Sequence, residues 1–275
     1  MIFSGQINPP PRSSKFAAIL ILCQIIVIGL AQVHVGSKIG PVPVWFCVTL
    51  LMVPLAIASR SIYAVHLNLF FALNFLTAYF PHFKDYPFSQ LTLLVLYAYV
   101  VLLVPALRGS VGWLRAGTMS AFIWILILAL IIISGAALVA WVHFVSPDLS
   151  RYKDFIPKVP PVLVYLFGLS FCMFNAALEE ITWRGVMMEA LDSALGSGIC
   201  SIIIQAASFG AAHFLNGFPN GYIGSAMAFA YGIMLGFIRR KSKGLLACWI
   251  AHSAADFSIF CLIYSFVQNL QGRIE

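Results

Sequence analysis

Glu179 and Glu180 stand side by side in this 275-residue chain, at the end of an apolar run that begins at Pro161. Arg184 follows Glu180 by one helical turn. A carboxylate at membrane depth costs roughly 2.5–3.5 kcal/mol on insertion scales, so two together call for a function or a partner. On an α-helix Glu180 and Arg184 share a face at i,i+4. Glu179 projects about 100° away around the axis and has no local cation. The spacing predicts an internal Glu180–Arg184 pair that shapes a site and a Glu179 free to do chemistry. Two further patterns follow, Phe209-Gly-Ala-Ala-His213 and His252-Ser-Ala-Ala-Asp256. His252 and Asp256 share a helix face, so Asp256 can hold the imidazole or line the same cavity. Ala211, Ala212, Ala251, Ala254 and Ala255 around the histidines allow close helix approach.

A carboxylate with two imidazoles suits activation of water. Glutamate accepts the proton, histidine shares or donates one, and a second polar pair stabilises an oxyanion. The same set, Glu179, His213 and His252, could instead hold zinc with an open position. Residue chemistry leaves both open. His34, His66, His82 and His143 fall near predicted helix ends or in loops and read as interfacial or hydrogen-bonded side chains. Glu189 and Asp192 read as solvent-facing at the end of their helix, and Arg239-Arg240-Lys241-x-Lys243 as an ordinary inside loop.

The elements that position these groups are membrane helices. The chain is 61% hydrophobic and 9% charged, against about 25% charged in a soluble domain. Apolar segments run over 16–35, 42–58, 62–80, 88–107, 119–143, 161–190, 197–214, 222–238 and 244–267. The predicted fold is an all-α, polytopic transmembrane helical bundle of about eight or nine spans. Residues 1–145 form an N-terminal group of helices and 161–267 the motif-bearing core, divided by a proline-rich interfacial segment. Residues 1–13 read as an unstructured cytoplasmic tail, and the first apolar run, lacking an Ala-x-Ala-like cleavage site, as a retained helix.

The net charge of +7 does not imply nucleic acid, because the basic residues lie in short clusters between apolar runs. With the N-terminus inside and nine spans, nine Lys and Arg fall inside and six outside, Arg184 left aside. One detail resists this arrangement. His252 would lie about 8 residues deep and His213 about 16, a mismatch near 12 Å. Either a helix boundary differs from these segments, or a helix breaks near Gly196–Gly198 or Asn216–Gly221. The six cysteines show no metal-site spacing and read as buried small hydrophobes.

With its three motifs in order on separate apolar segments, the chain resembles the CAAX protease and bacteriocin-processing family of intramembrane proteases, also described by an Abi-type domain. The family pattern, EExxxR, then FxxxH, then HxxxN or HxxxD, is matched over roughly 165–260, with Trp183 and Gly185 flanking Arg184 and Ser208 preceding Phe209. The resemblance implies a glutamic-type endopeptidase of the bacterial branch, in the cytoplasmic (inner) membrane. Glu179 would activate water with help from His213, and His252 and Asp256 would stabilise the oxyanion. Glu180 and Arg184 would orient the site, and Trp183 and Phe209 would line the substrate cavity. As an anion Asp256 is a poor oxyanion donor, so it is protonated in that role or orients His252. No cofactor is expected, zinc being the alternative. The partners implied are the lipid bilayer and a peptide or protein precursor, with a C-terminal sorting or processing tag as one form. Two rival readings are a non-catalytic membrane immunity or scaffold protein of the same fold and a proton-coupled transporter. The transporter predicts a matching interruption in the first half of the chain, and none is present.

Overall fold

A computed structural model describes residues 10–34, 42–79, 88–149, 152–153, 156–157, 159–215 and 217–271. Every described regular element is helical. The elements are α1 (Lys15–His34), α2 (Val42–Ala58), α3 (Ile62–Tyr79), α4 (Phe88–Leu103), the short α5 (Pro105–Arg108), α6 (Ala121–Val145) and α7 (Pro161–Glu179). A π-helical stretch, Glu180–Met187, leads into α8 (Met188–Leu195), followed by α9 (Ile199–Ala212), α10 (Gly221–Ser242) and α11 (Leu246–Gln271). The apolar segments read from the sequence return as helices with ends within a few residues. In lipid a backbone has no water to bond, so a long apolar segment must satisfy its amides within its own helix.

Six spans are long and apolar enough to cross a membrane: Lys15–Val33, Ile62–Tyr79, Ala121–Val145, Pro161–Leu195, Gly221–Ser242 and Leu246–Gln268. The chain is an integral membrane protein. Val42–Ala58, Phe88–Leu103 and Ile199–Ala212 are apolar but shorter, so among the described residues six helices reach crossing length.

The described helices fall into two compact units that do not follow chain order. One comprises residues 1–115 and 181–237, the other 116–180 and 238–275. In the first, α2 packs on α3, α3 on α4, and α1 on α8 and α9. Helix α9 lies close to α10, where a side chain on Gly210 would come within 2.8 Å of the Ser225 carbonyl oxygen. Polar groups tie this unit internally. Both His66 nitrogens are engaged, Nδ1 with the Tyr97 hydroxyl at 2.7 Å and Nε2 with Ser110 Oγ at 2.7 Å. The backbone amide of Ser13 donates to the Ser193 carbonyl at 2.8 Å, and its hydroxyl meets Ser61 and Ser193. The tail expected over 1–13 is therefore anchored at its end, its first nine residues lying outside the described set. Two helix ends fall near the expected breaks. Gly196 ends α8 with φ +84, and α9 stops at Ala212, so that His213 caps a 14-residue helix instead of sitting mid-span.

In the second unit α11 packs along both α6 and α7. Helix α7 starts with Pro161 at its first position, where a missing amide hydrogen costs nothing. Gly168 permits the α7–α11 approach, since a Cβ there would fall 2.4 Å from the Phe260 ring. Phe260 is held in turn between Phe257 and Tyr264, stacked on both. Trp249 Nε1 donates to the Met173 carbonyl at 2.7 Å and joins the same two helices nearer the acids.

Several surface expectations are corrected. Asp192 is buried at 5% exposure instead of facing solvent, because α8 is enclosed by α1, α3 and α9. Cys172 and Cys248 are buried, whereas Cys23, Cys47 and Cys200 are exposed on outward helix faces. His143 is exposed at the end of α6, as expected for an interfacial residue, while His82 and the side chain of His34 lie outside the described residues.

Candidate active site

The second unit assembles four of the residues singled out in the sequence. Helix α7 delivers Glu179 in its last turn and Glu180 at the start of the π-helical stretch, while α11 delivers His252 and Asp256 one turn apart. The imidazole of His252 is buried, at 3% exposure, with carboxylates at both nitrogens. Nδ1 lies 2.7 Å from Glu180 Oε1, a distance at which the ring N–H donates to the carboxylate. Nε2 faces Glu179 Oε2 at 3.4 Å and Asp256 Oδ1 at 3.6 Å. The two neighbouring acids differ sharply in access. The Glu180 side chain is 1% exposed and that of Glu179 23%. Of the two acids, Glu180 is the one enclosed against the ring and Glu179 the more accessible.

Asn175 also belongs here and was missed in the sequence reading. Its side-chain amide donates to Glu179 Oε1 at 3.3 Å and to Asp256 Oδ2 at 2.9 Å. The signal was present, since Asn175 precedes Glu179 by one α-helical turn within an otherwise apolar run.

The first unit places the remaining residues. From Glu180 to Met187 the backbone is π-helical, with i→i+5 hydrogen bonding. Arg184 is fully buried, with its guanidinium carbon 4.6 Å from the Phe209 ring centroid and Nη2 donating to the Gly232 carbonyl at 3.5 Å. A desolvated cation over an aromatic face is stabilised by about 2 kcal/mol or more. Gln205, also missed, donates to the same carbonyl at 2.9 Å. Trp183 and Phe209, expected to line a cavity, are both buried and meet edge to face at 5.0 Å, and Trp183 Nε1 donates to Ser208 Oγ at 3.3 Å. His213, at the end of α9, donates from Nδ1 to the Phe209 carbonyl at 2.9 Å. A carbonyl can only accept, so in the neutral ring Nε2 carries the lone pair and is the basic nitrogen.

Among the described residues, no group of three or more His, Cys, Asp or Glu side chains is arranged to hold a metal ion.

Residues 161–258 match the family model Rce1-like, type II CAAX prenyl endopeptidase. The likeness covers a little over a third of the chain's 275 residues. The matched span runs from the first residue of α7 past Asp256 on α11 and so takes in all three motifs. Comparison with curated proteins and with solved structures returned no match.

Proposed function

We propose that the chain is an intramembrane endopeptidase that hydrolyses a peptide bond of a membrane-associated or tagged precursor, with Glu179 as the general base. Residues 161–267 are its catalytic part and 1–145 its N-terminal helices. The unequal access of the two acids carries this reading: Glu179 is 23% exposed beside a buried imidazole, and Glu180 is 1% exposed and bonded to it. Water gives a proton to Glu179 as its oxygen bonds to the scissile carbonyl carbon, whose π electrons move onto the carbonyl oxygen. Collapse of the oxyanion breaks the C–N bond, and the proton passes from Glu179 to the leaving nitrogen, which departs as an amine beside a new carboxyl terminus. His252 presents Nε2 on the Glu179 side and donates to the oxyanion when its ring is doubly protonated, with Asp256 and Glu180 fixing the ring. Nε2 of His213 supplies a second base in the same reaction. Trp183 packs on Phe209, which lies against the Arg184 guanidinium and holds it in place. The scheme needs no metal, because Glu179 itself takes the proton from water. The excess of Lys and Arg on one set of loops supports an N-terminus inside a bacterial cytoplasmic membrane.

The test is Glu179→Gln, which keeps size and polarity but cannot take the proton. The variant should fold and cut cleavage by at least about 10²–10⁴-fold, the usual worth of a positioned base. His213→Ala should lose a similar amount, and the double variant much less than the sum, since groups acting as a unit are not additive. Glu189→Gln, on α8, is the matched control. The assay reconstitutes the protein in vesicles with a lipid-anchored precursor peptide and reads the new terminus by mass spectrometry. Cleavage by Glu179→Gln at the wild-type rate rules the mechanism out.

A further inference from the structure

Asn175 closes a ring of polar contacts that no motif contains. Its amide nitrogen touches Glu179 Oε1 at 3.3 Å and Asp256 Oδ2 at 2.9 Å. On the opposite side, His252 Nε2 faces the other oxygens of the same acids, Glu179 Oε2 at 3.4 Å and Asp256 Oδ1 at 3.6 Å. Two carboxylates are thus spanned by an amide at one end and an imidazole at the other. Ionised carboxylates only accept hydrogen bonds, which orients the Asn175 side chain with its NH2 toward them and uses both of its hydrogens. The imidazole contacts are longer than a good hydrogen bond, whereas the Asn175–Asp256 contact is of ordinary length.

We propose that Asn175 is a positioning residue for the hydrolytic reaction: it pins Asp256 and one oxygen of Glu179, so that the other Glu179 oxygen is presented toward His252 and the water it activates. This rests on Glu179 being the base. The amide is suited to the task because it donates to both acids while adding no charge between them. An apolar residue would leave two carboxylates facing each other without a donor. An aspartate would add a third anion. Reach matters too: Asn175 and Glu179 share a face of α7 at i,i+4, and the helix packs directly on α11.

The experiment compares Asn175→Leu and Asn175→Asp, each close to asparagine in size, in the wild-type and Asp256→Asn backgrounds, in vesicles with the same precursor peptide. Asn175→Leu should lower kcat by about 10²-fold with KM little changed, the penalty expected when a reacting group is misplaced. Asn175→Asp should lose at least as much. In the Asp256→Asn background the introduced amide can itself donate to Glu179, so the further loss on Asn175→Leu should fall below about tenfold, the residues acting as one unit. Thermal unfolding of wild type, Asn175→Leu, Asp256→Asn and their double variant reads the bridge without substrate and should show the same non-additivity. A purely structural asparagine would lower folded yield but leave kcat per folded molecule unchanged, and that result overturns the proposal. So do equal kcat losses in the two backgrounds. If Glu179→Gln cleaves normally, the protease mechanism fails instead; if Glu179→Gln is dead and Asn175→Leu turns over at the wild-type kcat, only the positioning role fails.

Discussion

Neighbouring acids with opposite duties should separate stability from activity, and Glu180 is where the separation can be measured. Its carboxylate is 1% exposed and accepts from His252 Nδ1 at 2.7 Å. Glu180→Gln keeps an acceptor for that N–H but exchanges a hydrogen bond to a charged group for a neutral one. Such bonds contribute roughly 1.5–3 and about 1 kcal/mol respectively, so the loss should be about 1 kcal/mol. Glu180→Leu removes the acceptor and leaves a buried imidazole N–H unsatisfied, adding a desolvation penalty of about 1–3 kcal/mol to the lost bond. The leucine variant should therefore lose about 3 kcal/mol in all, near the lower end of what breaking a buried pair costs. Glu179→Gln, on the adjacent residue but 23% exposed, should stay within about 0.5 kcal/mol of wild type. The assay is denaturant unfolding of purified protein in detergent, followed by circular dichroism, with cleavage measured on the same preparations. Pairing each Glu180 change with His252→Ala completes a cycle in which Glu180→Leu should cost less once the ring is gone, by about the worth of the lost bond. If Glu180→Leu is as stable as wild type, or its loss is unchanged in His252→Ala, then Glu180 does not hold the imidazole and the division of labour between the acids is wrong.

Arg184→Ala should lower the unfolding temperature and the folded yield together, losing at least about 2 kcal/mol with the cation–π contact to Phe209. Arg184→Lys should recover only part of this, because an ammonium lacks the planar fork; wild-type stability in the alanine variant would show that the buried guanidinium contributes nothing. For the metal question, protein freed of zinc by chelation and checked by elemental analysis should cleave at the untreated rate. Stoichiometric zinc whose removal abolishes turnover, and whose return restores it, would replace the water-activating glutamate with a metal centre.

Much of the helical layout was legible in the sequence for one reason. Backbone groups in a bilayer must bond within their own helix, so apolar length alone located segments such as 62–80 and 119–143, seen as Ile62–Tyr79 and Ala121–Val145. The i,i+4 spacing of His252 and Asp256 was readable because α11 winds as an ordinary α-helix through both. The winding between Glu180 and Arg184 was not readable in the same way, since a π-helical stretch starts at Glu180. Tertiary structure alone decided the partner shown for Glu180, because His252 lies 72 residues further along the chain. It also recruited Asn175, which touches Glu179 within its own helix but Asp256 only across to α11. Hydropathy was equally silent on which faces turn inward. Lipid tails are as apolar as a protein core, so nothing in the sequence distinguished the buried Cys172 from the exposed Cys23, or placed Asp192 inside its unit. Those choices follow from which helices pack together.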